Sequence, residues 1–149
     1  MAALSPDQFE ANIKPRAILY FPEPELKTHE PHYFICIGQT TESRIITSCC
    51  TSQFNTVKNL IERWGYPPTT LVYIPTQDNE NPFKKDTYIN CNEFFGYQLS
   101  ELWDLYLHNK LSFHGELPLD SFEQILIGMK DSDQIDEEIK DFLPNIDDL

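Results

Sequence analysis

Residues 32–50, "HYFICIGQTTESRIITSCC", are two apolar runs separated by the polar stretch "QTTES". The first run, 32–38, is nearly continuous in apolar residues instead of alternating, which predicts a strand buried on both faces. The second, 44–50, returns as the paired strand of a hairpin, with "QTTES" as its turn. A sheet is therefore the centre of the molecule, and the flanking segments read outward from it. Upstream, "SPDQFEAN" places Ser5 as a helix cap, Pro6 at the first helical position and Gln8 where a capping box needs it. Residues 14–21, "KPRAILYF", predict a strand, and "PEPELKTHEP" must be a loop because its prolines break ladders and helices alike.

Downstream, Phe54, Val57, Leu60, Ile61 and Trp64 follow helical spacing and end at Gly65, so an amphipathic helix follows the hairpin. "TLVYI" and "TYINC" read as two more strands separated by a polar loop, and "EFFGYQL" adds another. Ser100 is expected to cap "ELWDLYLHNKL", with Glu101 and Asp104 in the first turns, where they suit the helix dipole. Residues 118–130 carry the stripe Leu119, Phe122, Ile125, Leu126 and Met129. A weaker acidic helix is expected over 134–143, stopped by Pro144. Strands first and helices afterwards argue for an α+β fold instead of alternating βαβ units.

At 149 residues and 40% hydrophobic composition, one domain with a real core is expected. No apolar run is long enough to span a bilayer, and the N-terminus lacks the order of a secretory signal, so a cytoplasmic, membrane-free protein is expected. Four cysteines without CxxC spacing are expected to be reduced. Cys49 and Cys50 are strand neighbours pointing to opposite faces, so they cannot share a metal, and Cys36 and Cys91 read as small buried hydrophobes. No metal or cofactor site is expected. The formal net charge is −13, and residues 131–149 hold eight acidic residues against Lys140. Such a charge repels polyphosphates unless a local basic patch reverses the field; the acidic tail is either a solvated face with a frayed end or a surface for a basic partner or an RNA-like decoy. His29 and His32 flank Glu30 and Pro31 at a loop-to-strand boundary, where a rigid scaffold commonly holds functional side chains. His108 and His114 have no recognisable spacing.

The run "EPHYFICIG", a hairpin return ending in "CTSQ", then "LVYIP", "NPFKKDTYINCNEFFGYQLSEL" and "GELPLDSFEQILIGMKDS" resembles the MazF/PemK family of toxin endoribonucleases over roughly residues 14–132. The resemblance implies a small SH3-like barrel over about 14–99, an inserted amphipathic helix, helices over about 100–143 and the acidic tail 131–149. It implies metal-independent cleavage of single-stranded RNA, the 2′-hydroxyl attacking the adjacent phosphate, without any cofactor. It places Thr51 and Ser52 on the family's catalytic hydroxyl pair and gives His32 the proton transfer, with Lys27, His29 and Gln53 binding substrate. Glu30 stands where the family has its arginine. A homodimer and an antitoxin or other protein partner are implied as well. The alternative is a catalytically inactive barrel serving as an acidic protein-binding or regulatory module.

Overall fold

The computed structural model describes residues 3–26, 30–76 and 82–149. In chain order the elements are α1 (Pro6–Asn12), β1 (Ala17–Phe21), β2 (His32–Gln39), β3 (Arg44–Thr51), α2 (Phe54–Trp64), β4 (Leu71–Ile74), β5 (Thr87–Asn90), β6 (Phe95–Gln98), α3 (Leu99–Leu107), β7 (Ser112–Glu116), α4 (Leu119–Asp131) and α5 (Glu137–Lys140). The fold is α+β: one antiparallel sheet in the order β4-β5-β3-β2-β1-β7, with β6 also on β3. The hairpin is its spine. Phe34 pairs with Cys49 and Cys36 with Thr47, and a bulge then shifts the register so that Gly38 meets Ile46. Along one edge of β3, its first half pairs with β6 and its last two residues with β5. Among the described residues the edge strands β4 and β7 do not pair with each other, so the sheet is open where a closed barrel was expected.

Burial on both faces of β2 follows from strand alternation. Ile35 and Ile37 join Ile18, Ile46 and Cys50 under Phe122, Ile125 and Met129 of α4. Phe34 and Cys36 join Leu19, Phe21 and Ile45 under Phe9 of α1 and Leu102 of α3. Phe9 also packs on Trp103 and Tyr106, each with a ring-centroid separation of 5.2 Å, so these two aromatics serve the second core. A polar staple ties the end of α4 to the sheet. Asn92 donates to Thr70 Oγ1 (2.9 Å) and accepts from Ser132 Oγ (2.6 Å).

Three local expectations are corrected. The strand read over 14–21 begins only at Ala17, because Arg16 takes a positive φ of 78° and donates its N–H to the Cys36 carbonyl. Helix α3 begins at Leu99, so its cap is Gln98, whose N–H donates to Glu101 Oε1 (2.9 Å), and Ser100 lies in the first turn. The acidic helix over 134–143 shrinks to Glu137–Lys140. Acidic residues at 137 and 141 repel one another one turn apart, and a single turn gains little from cooperative propagation. Strand β7, "SFHGE", follows a helix and lacks an apolar alternation; its pairing with β1, not its propensity, makes it a strand.

Candidate functional site

Thr51 is the last residue of β3 and pairs with Tyr88 of β5. Its Oγ1 accepts the Gln53 N–H at 3.1 Å, which leaves the hydroxyl's own proton free to donate outward. This tight turn swings the chain from sheet to helix. Ser52 and Gln53 are exposed, and Gln53 occupies the N-cap of α2 without a side-chain cap bond. The Phe54 N–H donates to the Ser52 carbonyl (3.1 Å), so the positive end of this eleven-residue helix offers its next N–H groups, those of Asn55 and Thr56, beside two hydroxyls.

The same edge carries a ladder of rings. Phe54 lies 4.9 Å from Tyr88, and Tyr88 stacks at 5.4 Å on Tyr73. Phe54 and Tyr73 stay 38% and 46% exposed, offering ring surface to solvent. Lys58 Nζ stands 5.8 Å from the Phe54 ring centroid, and Arg63 lies in the last turn of the same helix. Lys84 and Lys85 precede β5 and are exposed. Of the nearby acids, Asp86 is engaged by the Tyr73 and Thr76 hydroxyls, and Glu62 faces Lys58 at 3.9 Å. On a chain of −13, Lys58 thus brings a cation against this ladder of rings.

His32 is the first residue of β2, half-buried and opposite Phe21. Its Nδ1 lies 2.9 Å from the Glu30 carbonyl oxygen. A carbonyl can only accept, so Nδ1 carries the proton and Nε2 of the neutral ring is the free base. The β2–β3 ladder stops at Phe34 and Cys49, after which β3 pairs with β5. His32 and Thr51 thus leave the sheet at the same end, without a hydrogen bond between them. Lys27 and His29 lie outside the described residues. Neither of two other arginines is near: Arg16 Nε donates to the Leu117 carbonyl at 2.8 Å, and Arg44 lies over the Phe94 ring.

A second concavity lies elsewhere. A cleft of about 1790 Å³ runs between residues 22–26, β6 and α3, and it is lined by Glu23, Glu25, Glu93, Glu101 and Asp104. Glu23 is only 8% exposed; its carboxylate accepts from Tyr97 Oη (2.7 Å) and from the Glu25 N–H (2.8 Å). Burial, with the Glu23 bond second, pushes the Tyr97 phenol far above its ordinary range. His32, Thr51, Ser52 and Gln53 line none of it. Sequence reasoning missed this cleft, because its carboxylates lie as far apart in the chain as Glu23 and Asp104 and share no motif.

Cys49 and Cys50 face opposite cores, as strand alternation requires. Burial pushes the thiols of Cys36, Cys49 and Cys91 to about 12, which keeps them protonated and unreactive. Among the described residues no group of His, Cys, Asp or Glu could hold a metal ion. Among them, too, no helix is long and apolar enough to cross a membrane. Fold and site together define an α+β domain with hydroxyls, a helix N-terminus and exposed rings at one sheet end. The chain matches no protein-family model and no curated protein sequence.

Proposed function

We propose that the chain is a metal-independent endoribonuclease of the MazF/PemK type, acting on single-stranded RNA at the Thr51–Gln53 end of the sheet. The observation that carries this reading is the continuity of Thr51 and Ser52 with the open N-terminus of α2, beside the Phe54–Tyr88–Tyr73 ladder. Helix N-termini favour phosphate through their N–H groups and dipole. Aromatic rings take unstacked bases without demanding a sequence.

In this reaction the 2′-hydroxyl attacks the neighbouring phosphorus and the 5′-oxygen departs, leaving a cyclic phosphate. His32 Nε2 takes the 2′-hydroxyl proton, and water supplies a proton to the departing oxygen. Thr51, Ser52 and the N–H groups of Asn55 and Thr56, the Phe54 N–H being taken by the Ser52 carbonyl, face the charge that builds on the non-bridging oxygens, the task that falls to arginine in the family. Glu30 contributes through its backbone carbonyl, which sets the His32 tautomer, while its own carboxylate lies on an exposed residue. An SH3-like arrangement of the strands, left open between β4 and β7, belongs to the same proposal: along one edge β3 pairs first with β6 and then with β5, so the sheet curls there. A toxin role, an antitoxin partner, a homodimer and a cytoplasmic location follow from it.

Purified protein incubated with single-stranded RNA in the presence of EDTA is expected to release fragments ending in 2′,3′-cyclic phosphate. His32→Ala should lower the rate by roughly 100-fold or more, the usual contribution of a general base. Tyr73→Ala should raise KM about tenfold with little change in kcat, as loss of one stacked base requires. Intact RNA at high protein concentration, or cleavage indifferent to His32 and Thr51, would sink the proposal.

A further inference from the structure

We infer that Asp86, at the end of the ring ladder, reads the base stacked on Tyr73 and selects guanine. In the ribonuclease reading, on which this rests, the ladder takes unstacked bases. Tyr73 is 46% exposed, and its hydroxyl donates to Asp86 Oδ1 at 3.1 Å, so the carboxylate stands at the rim of an open ring. The Thr76 N–H (3.4 Å) and the Thr76 hydroxyl (3.3 Å) donate to the same oxygen. Three donors thus hold Oδ1. Among the described residues none donates to Oδ2, no cation pairs with the group, and Asp86 is exposed.

A ring face is indifferent to which base lies on it. A carboxylate is not, because it can only accept. Guanine presents N1–H and its 2-amino group side by side on the Watson–Crick edge, two neighbouring donors for the two lone pairs of Oδ2. Adenine and cytosine set a ring-nitrogen acceptor beside their single amino group, and uracil flanks its N3–H with two carbonyls. Those acceptors face a negative oxygen and are repelled, which turns the carboxylate against the other three bases. Guanine alone therefore adds a pair of charge-assisted bonds to the stacking. The bonds on Oδ1 fix the carboxylate before a base arrives, so little rotamer freedom is lost on binding.

Fluorescence anisotropy on the full chain tests this with labelled 2′-O-methyl RNA, which has no free 2′-hydroxyl to attack phosphorus and so stays intact. A short oligouridine with a central guanosine should bind about tenfold or more tightly than the same strand with a central adenosine, cytidine or uridine, the usual discrimination of a base-specific bond pair. Asp86→Asn keeps an oxygen for Tyr73 but turns an amide donor outward, and it should bring the guanosine strand level with the adenosine strand. Equal affinity for all the strands, a guanosine preference that survives Asp86→Asn, or binding of none of them would overturn the inference. Cleavage of unmodified RNA is followed in parallel. Guanosine-selective binding without cleavage would sink the ribonuclease reading alone, and cleavage without guanosine preference would sink only the role of Asp86.

Discussion

Tyr97 and Glu23 lie 74 positions apart in sequence and meet in one buried hydrogen bond of 2.7 Å. Removing the phenolic oxygen leaves a nearly buried carboxylate short of a donor, so Tyr97→Phe is expected to cost about 1–3 kcal/mol in urea unfolding. An unchanged midpoint would mean that water replaces the phenol. His114 acts through protons. Its ring lies against Tyr20 and Tyr33 at 5.6 and 5.3 Å, its Nε2 is 2.9 Å from Ser112 Oγ, and burial lowers its pKa. The unfolded chain therefore takes up that proton first as pH falls, so it binds more protons than the native state, and stability drops below the ordinary histidine range. The loss levels off once native His114 also protonates. His114→Phe should flatten that part of the acid-side decline in urea midpoint, and an identical slope in both proteins would remove His114 as its source.

Helix α4 shows how an element is fixed by one small residue. A Cβ at Gly128 would lie 2.7 Å from the Thr69 carbonyl oxygen and from Cys91 Sγ, so the helix sits on the sheet at the closest approach that glycine allows. Gly128→Ala gains about 1 kcal/mol of helix propensity. Overpacking against backbone costs roughly 1–3 kcal/mol. A net loss is expected, and a thermal midpoint at or above wild type would show that α4 can slide. Helix α2 teaches a different lesson. Its stripe Phe54, Val57, Leu60, Ile61 and Trp64 and its stop at Gly65, which takes φ 69°, were legible from spacing. Only Val57 and Ile61 are buried, and Trp64 remains 65% exposed. Periodicity names the apolar positions of a helix; how many of them a short edge of sheet can cover depends on strands far along the chain.

Across the whole molecule, charge is unevenly spread: Lys58 stands beside the ring ladder, while five carboxylates line the cleft. The described ion pairs, such as Lys14 with Glu116 at 2.8 Å, are largely surface contacts of small worth. Net self-repulsion from −13 therefore outweighs them, and moderate sodium chloride is expected to raise the urea midpoint by screening it. A midpoint that falls with salt would show that local pairs dominate instead.

The sequence by itself determined the hairpin, the capped first helix, the amphipathic α2 and the inert, oppositely facing cysteines. Each rests on periodicity or on contacts within a few residues, which the chain writes locally. Tertiary structure alone decided that "SFHGE" is a strand, since an edge strand is made by its neighbour's unpaired backbone. It also decided that His32 and Thr51 reach the same end of the sheet, and that Glu23, Glu93 and Asp104 line one groove. Such convergence depends on sheet order and crossover, and short-range spacing carries no record of either.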